Sequence, residues 1–428
     1  MKFYSLNHNS PEVNFKQALI SGLAPDGGLY FPKIIPKFTA GEIAELKDNS
    51  LTQVGFKVLS KWLENEFEPE AVKQLAGSAL NFPIPLKKVG NFFVLELFHG
   101  PTMAFKDIAA RSLARLLNQA LENDNQKATI IVATSGDTGG AVAHGFGNVK
   151  NINLVVMYPK GKVSQLQEEQ LTRVAPNVFP VEVDGVFDDC QALAKKTFLD
   201  PDFKKLNLSS ANSISVGRLI PQIIYYVYAY SLIKEPNIEF VVPCGNFGNV
   251  CAGIMARAMG LPFNKFIIVN NLNDPVLKYY QTGKFIPQPT VQTLSNAMDI
   301  GNPSNFVRIL EIFKHDYASF KKVIQVLRVT DEETVATIKE VYEKYNYLLD
   351  PHTAVAWHGA LGAELDQSLK VILSTASPVK FASIIKKETG IAVDDSQAIK
   401  ELEKITKRKL EIKNDYNELK KTLLSLPL

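Results

Sequence analysis

Residues Ala128-Thr129-Ile130-Ile131-Val132-Ala133-Thr134-Ser135-Gly136-Asp137-Thr138-Gly139-Gly140-Ala141-Val142-Ala143-His144 decide how this chain reads. A short apolar run rich in β-branched residues ends in a turn of hydroxyls and glycines, and small apolar residues carry on beyond it as a helix. A strand, a loop and a helix in one stretch form the unit from which parallel sheets are built. The alternation recurs around it. Residues 153–158, Ile238–Pro243, 265–269 and 369–373 are further short apolar runs, separated by longer amphipathic segments. The expectation is an α/β chain whose parallel sheet is covered by helices on both faces.

The chain has 428 residues, more than one typical core, so two or three domains are expected. The first 85 residues differ in texture, with helix-like stretches, several prolines and the turn Pro25-Asp26-Gly27-Gly28. They are assigned to an N-terminal domain, residues 86–215 to a smaller α/β domain, and residues 216–428 to a large α/β domain with C-terminal helices. Forty-seven basic and 44 acidic residues leave a formal charge of +3, without long single-sign blocks, which points away from nucleic acid and membrane surfaces. The Lys-rich stretch 404–421 is interspersed with Glu and reads as a solvated helix face. Cys190, Cys244 and Cys251 have no paired-ligand spacing, so no metal site follows and a reducing, cytoplasmic setting is expected. The N-terminus lacks a long apolar core, and no uncharged run approaches the ~20 residues of a membrane span. No obligate protein partner is indicated.

The chemistry concentrates in a few segments. Lys106 lies in Leu97-Phe98-His99-Gly100-Pro101-Thr102-Met103-Ala104-Phe105-Lys106-Asp107, and Ala109, Leu113, Leu116, Leu117 and Ala120 follow it at helical spacing. The lysine therefore heads a helix. Gly245-Asn246-Phe247-Gly248-Asn249 follows an apolar strand and opens a second helix, with no basic residue in the turn. Backbone donors at a helix start make a phosphate cradle. A lysine among apolar neighbours and a phosphate cradle made of backbone suggest pyridoxal phosphate. Its aldehyde needs an amine that sheds its proton near neutral pH, and desolvation moves a lysine pKa that way. The 134–140 loop offers hydroxyls and backbone donors suited to a substrate carboxylate. Ser374-Thr375-Ala376-Ser377-Pro378, after the last strong strand, offers a hydroxyl to the pyridine nitrogen. Any one of these turns is commonly an ordinary strand-to-helix connection; three of them together with Lys106 tip the reading.

Competing readings fail on spacing. The chain has no G-x-G-x-x-G at the glycine turn, no P-loop and no G-x-S-x-G elbow. His352 and His358 lack an H-E-x-x-H frame and read as packing or hydrogen-bonding residues, His352 being the nearer to the site. Asn212-Ser213-Ile214-Ser215-Val216-Gly217-Arg218 precedes an apolar, aromatic helix. Arg218 reads equally as a surface cation or, with Asn212 and Ser213, as a grip on a second phosphate. His99, Thr102 and Arg111 flank the lysine, and each reads as structural or functional.

Taken together, these segments resemble the threonine synthase family, in its longer-chain branch. The lysine segment, Gly22-Leu23-Ala24-Pro25-Asp26-Gly27-Gly28-Leu29-Tyr30-Phe31-Pro32, the 134–140 loop, Tyr158-Pro159-Lys160-Gly161-Lys162-Val163-Ser164, the 245–249 turn and Asp350-Pro351-His352-Thr353-Ala354 carry the likeness. The resemblance implies the pyridoxal-phosphate fold type of the tryptophan synthase β-subunit, with parallel-rich sheets flanked by helices and an additional N-terminal unit. It implies conversion of O-phospho-L-homoserine and water to L-threonine and phosphate by γ-elimination and β-addition of water. By the same resemblance Lys106 bonds the cofactor, Gly245, Asn246, Phe247, Gly248 and Asn249 hold its phosphate, and Thr375 meets its ring nitrogen. Thr102, Thr134, Ser135, Asp137 and Thr138 are implied for the substrate around its carboxylate, and Asn212, Ser213 and Arg218 for its phosphate. Two positions depart from the branch, which often has Asn where this chain has Ser215 and His where it has Ser377. The alternatives are a related phospho-lyase that releases a 2-oxo acid and a non-catalytic homologue; the intact Lys106 argues against the second.

Overall fold

The computed structural model describes residues 1–122, 126–134, 136–233, 235–363 and 368–428. The expected strands form, but they are divided between two sheets. The larger has six strands in the order Ile324–Arg328, Phe263–Asn270, Ile238–Pro243, Leu369–Ser374, Phe92–Glu96, Leu86–Val89, and all its pairings are parallel except the terminal hairpin. The smaller has five parallel strands in the order Leu410–Lys413, Val178–Asp184, Ile152–Pro159, Ala128–Ala133, Leu208–Ser210. The central strands are buried along their whole length, which is why they read as unbroken apolar runs rather than alternating ones.

Sheet membership does not follow chain order across residues 86–215 and 216–428. Phe92–Glu96 pairs with Leu369–Ser374 in the register Leu95↔Leu373, so the hairpin before Lys106 belongs to the large sheet. Leu410–Lys413 pairs with Val178–Asp184, so the C-terminus returns to the small one. That pairing also corrects the reading of 404–421 as a helix face. Ile412 is buried while Glu411 and Lys413 face out, the alternation of a strand, and Lys409 pairs with Glu182 at 3.2 Å and Glu411 at 2.9 Å. Only Tyr416–Leu424 of that region is helical.

The N-terminal unit begins with the antiparallel sheet Val13–Asn14, Lys2–Ser5, Tyr30–Pro32. Its two longest helices follow. Leu51–Leu63 starts in a reciprocal Ser50/Gln53 cap and buries Val54, Val58, Leu59 and Trp62; Pro69–Ala79 starts on a proline at its first turn. Both belong to the core shared by the two sheets.

Candidate active site

Five loops meet at the carboxyl ends of parallel strands, the edge where open α/β sheets bind ligands. Three leave adjacent strands of the large sheet: the 245–248 turn after Ile238–Pro243, Thr375 after Leu369–Ser374, and the lysine segment after Phe92–Glu96. Two leave the small sheet: Thr134 and Gly136 follow Ala128–Ala133, and the 212–218 segment follows Leu208–Ser210.

Lys106 is the first residue of the helix Lys106–Glu122. The chain turns there because the buried Asp107 carboxylate accepts from the Thr102 hydroxyl (2.6 Å) and the Thr102 N–H (2.9 Å). The lysine segment then lies along the end of the neighbouring strand. Phe105 N–H donates to the Thr375 carbonyl at 2.9 Å, Ser377 N–H to Met103 at 3.1 Å, and Ala104 bridges Ala376. Lys106 and Thr375 are thus fixed side by side by backbone.

The Lys106 side chain is 15% exposed, and its Nζ lies 3.6 Å from Asp137 Oδ2. Burial drives its pKa down; Asp137 opposes this, while Lys380 and Arg218 reinforce it. Asp137 is held far below the usual carboxylate range: burial alone would raise it, but Lys380 and Lys106 overcome that. Lys380 Nζ sits 2.9 Å from Asp137 Oδ1 and is fully buried. It also donates to the Thr102 carbonyl and to Gln170 Oε1, each at 2.9 Å. Gln167 Nε2 donates to Asp137 Oδ1 at 3.0 Å.

In the glycine turn, Phe247 adopts a left-handed conformation (φ +61°) that turns the chain into the helix Gly248–Ala258. A Cβ at Gly245 would lie 2.6 Å from Met298 Cα and 3.0 Å from the Ala297 carbonyl, so packing excludes one there. At Gly248 the nearest atom would be 3.4 Å away, on Asn305, so packing does not require that glycine. Its missing side chain leaves room in front of a helix N-terminus. Asn246 Oδ1 accepts from Ser304 N–H (2.7 Å) and hydroxyl (2.8 Å), and its amide donates to Ser213 Oγ. Asn249 Oδ1 accepts from Tyr225 and Tyr226, each at 2.7 Å, while its Nδ2 has no partner.

Arg218 is 4% exposed rather than a surface cation. Its Nη1 donates to the Ala211 carbonyl at 2.7 Å, its Nε has no partner, and it forms no ion pair among the described residues. Burial lowers its pKa to about 10. Asn212 Oδ1 is likewise buried without a partner. Unpartnered donors at Asn249 and Arg218, with a glycine that packing does not demand, fit a ligand carrying anionic groups, and a partly buried lysine beside them fits an aldehyde. These residues suit pyridoxal phosphate.

Other flanking residues make contacts within the protein. Thr134 Oγ1 accepts from Gly136 N–H (3.0 Å) and Gly139 N–H (2.8 Å), closing the turn before the helix Asp137–Phe146, where Thr138 is half-buried. Ser135 lies outside the described residues. Arg111 donates to the Ala79 and Ser78 carbonyls at the end of Pro69–Ala79, and His99 pairs with the buried Glu96 at 2.7 Å. His358 meets Thr337. His352 stands behind the glycine turn, its Nδ1 on Asp350 (2.8 Å) and its Nε2 accepting from Ala297 N–H (3.2 Å).

Lys380, Gln167, Gln170, Asn305 and Arg308 carry no local sequence pattern that places them here. Fully buried Arg308 donates to Asn305 Oδ1 (2.7 Å), Ile214 O (2.7 Å) and Tyr30 O (3.0 Å), tying the N-terminal unit to the loops around the site. A proline two residues before Lys380 and an Asn three residues before Arg308 were the nearest cues, and neither specifies a contact. Among the described residues no group of three or more His, Cys, Asp or Glu is placed to hold a metal, and no helix is long and apolar enough to cross a membrane.

Residues 80–376 match the family described as pyridoxal-phosphate dependent enzyme, and residues 2–80 match the threonine synthase N terminus. Threonine synthase of Buchnera aphidicola (subsp. Schizaphis graminum) is 38% identical, covering 99% of this chain and 100% of the relative. The crystal structure of PLP-bound threonine synthase from Brucella melitensis superposes with a TM-score of 0.94 at 35% identity, over 99% of this chain and 98% of the other. That of threonine synthase from Escherichia coli gives 0.91 at 36%, over 99% of both chains.

Proposed function

Because the chain belongs to the threonine synthase family of pyridoxal-phosphate-dependent enzymes, we propose that it converts O-phospho-L-homoserine and water to L-threonine and phosphate on the residues gathered around Lys106. Pyridoxal phosphate supplies an aldehyde and an electron-withdrawing ring, which acidify the carbon bonds of an amino acid joined to it. Lys106 is assigned to hold that cofactor and to move protons at the substrate's α-carbon, work suited to an amine whose proton affinity burial lowers. Gly245, Asn246, Phe247, Gly248 and Asn249 are assigned to the cofactor phosphate. Thr375 is assigned to the ring nitrogen, where a neutral hydroxyl leaves that nitrogen largely unprotonated.

For the substrate, the turn at Thr134, Ser135 and Thr138 is assigned to the carboxylate, with the N-terminus of Asp137–Phe146 behind it. Asp137 and Thr102 are reassigned. The Asp137 carboxylate would repel that of the substrate, and the Thr102 hydroxyl is already spent on Asp107, so both serve to position Lys106. Asn212, Ser213 and Arg218 are assigned to the substrate phosphate.

One observation carries the choice of substrate. Arg218 is a buried guanidinium without an ion pair among the described residues, close enough to Lys106 to affect its proton, in a site where the glycine turn is assigned to the cofactor phosphate. A second anion answers it. The three cysteines are free and buried, which suits a cytoplasmic enzyme, and we place it there. The test is to incubate cofactor-loaded protein with O-phospho-L-homoserine and to measure phosphate and the organic product. Threonine with equimolar phosphate is expected. A 2-oxo acid instead would make the protein a phospho-lyase, and a cofactor spectrum without phosphate release would make it a non-catalytic homologue.

A further inference from the structure

Asp137 stands between two lysines, Lys380 fully buried and Lys106 15% exposed, and its two oxygens are unequally used. Oδ1 receives Lys380 Nζ at 2.9 Å and Gln167 Nε2 at 3.0 Å, whereas Oδ2 faces Lys106 Nζ at 3.6 Å. Lys380 comes from the turn Pro378–Phe381, beyond the Thr375 loop, and is itself fully buried. Its three N–H donors meet three acceptors: Asp137 Oδ1, the Thr102 carbonyl and Gln170 Oε1. An ammonium with every donor used is a fixed charge, and one carboxylate in a dry site neutralises one such charge fully, not two.

We propose that Lys380 is a positioning residue for Lys106: it claims the charge of Asp137 from the far side, aims Oδ2 at Lys106 as an acceptor, and leaves the Lys106 amine free to give up its proton. The inference rests on the reading of Lys106 as the cofactor lysine. Among the described residues, three charged groups face Lys106: Asp137 from the helix Asp137–Phe146, Lys380 from its turn, and Arg218 from the helix Val216–Leu219. Asp107, on the lysine's own helix, is in turn faced by Lys380, His144 and Arg218. Of these, Lys380 is the group that hydrogen-bonds the carboxylate facing Lys106. Without it, Asp137 would become the counter-ion of Lys106 and hold the proton in place. Without Asp137, the ammonium of Lys106 would face two cations and give up its proton more readily.

The test reads proton affinity in the full chain. Lys106 acylation by acetic anhydride is followed against pH in protein stripped of cofactor, by peptide mass spectrometry, beside the pH midpoint of the visible band in the loaded enzyme. Lys380→Met should raise the Lys106 midpoint by at least about one pH unit, a tenfold change in proton affinity, and Lys380→Arg should stay within about 0.3 unit of the parent. Asp137→Asn should lower it. A folded Lys380→Met whose midpoint stays within about 0.3 unit of the parent overturns the proposal. If Lys380→Met does not fold, Asp137→Asn decides, and an unchanged or raised midpoint overturns the proposal. Borohydride fixation of the cofactor to a peptide without Lys106 would refute the reading of that lysine instead, which distinguishes the two failures.

Discussion

Replacing Arg218 by Met removes a charge while keeping most of the volume, and it should separate stability from function. In the folded chain, burial holds the guanidinium pKa at about 10 against an ordinary 12.5, with no ion pair among the described residues to offset the loss of solvent. At 1.36 kcal/mol per unit, that depression is roughly 3 kcal/mol of unfavourable burial. It applies throughout the pH range below about 10, where the arginine is charged in both the folded and unfolded states. Against it stands one good hydrogen bond, Nη1 to the Ala211 carbonyl at 2.7 Å, worth about 1.5–3 kcal/mol for a charged donor. Arg218→Met should therefore unfold in urea at or slightly above the parent midpoint, since exchanging a poorly compensated buried charge for an apolar side chain is commonly neutral or stabilising. The same variant should lose at least about tenfold in kcat/KM for O-phospho-L-homoserine, roughly 1.4 kcal/mol, with the visible spectrum of the bound cofactor kept. Urea denaturation followed by circular dichroism and a phosphate-release assay on one preparation measure both. A variant that is clearly destabilised yet retains full kcat/KM would refute the reasoning: Arg218 would then be a structural residue, and the phosphate would be held elsewhere, with Lys160 or Lys162 the next to test.

Lys106→Ala should still bind cofactor through the glycine turn but show no turnover, and borohydride should label the peptide containing Lys106 in the parent alone; equilibrium dialysis and peptide mapping read both. Gly248→Val should weaken cofactor binding with the fold kept, whereas Gly245→Ala should lower stability by about 1–3 kcal/mol, because its Cβ would lie 2.6 Å from Met298 Cα; cofactor titration and urea unfolding separate the two. Arg308→Met leaves the Tyr30, Ile214 and Asn305 oxygens without their buried donor, and should cost about 3 kcal/mol or more in urea unfolding. Asp299 has its carboxyl raised to about 6 by burial, which outweighs hydrogen bonds from Thr293 and Asn271. The folded chain thus holds a proton that the unfolded chain releases, so this group's contribution to stability is present below about pH 4 and is lost as pH rises through 6. Asp299→Asn should flatten that part of the pH dependence of the urea midpoint.

The amino-acid sequence by itself determined the parts of this protein that depend on neighbours along the chain. An apolar run buried on both faces, a turn of glycines and hydroxyls, and a helix of small residues succeed one another at 128–144, and the helix starting at Lys106 shows in the spacing of Ala109, Leu113 and Leu117. Strand period, helix period and turn chemistry are local, so they can be read without knowing what lies opposite. What only the tertiary structure decided is which segments meet. The hairpin at 86–96 joins the sheet built by 238–374, and Leu410–Lys413 joins the one built by 128–210, because strand order follows from crossovers and not from position in the chain. Likewise Lys380 hydrogen-bonds Thr102, 278 residues away, and Arg308 reaches Tyr30 across the same separation. Neither lysine nor arginine carries a local pattern that marks it as buried. Each is held inside because the fold brings carbonyl and carboxylate oxygens to it from separate segments, and that convergence exists only once the chain has closed.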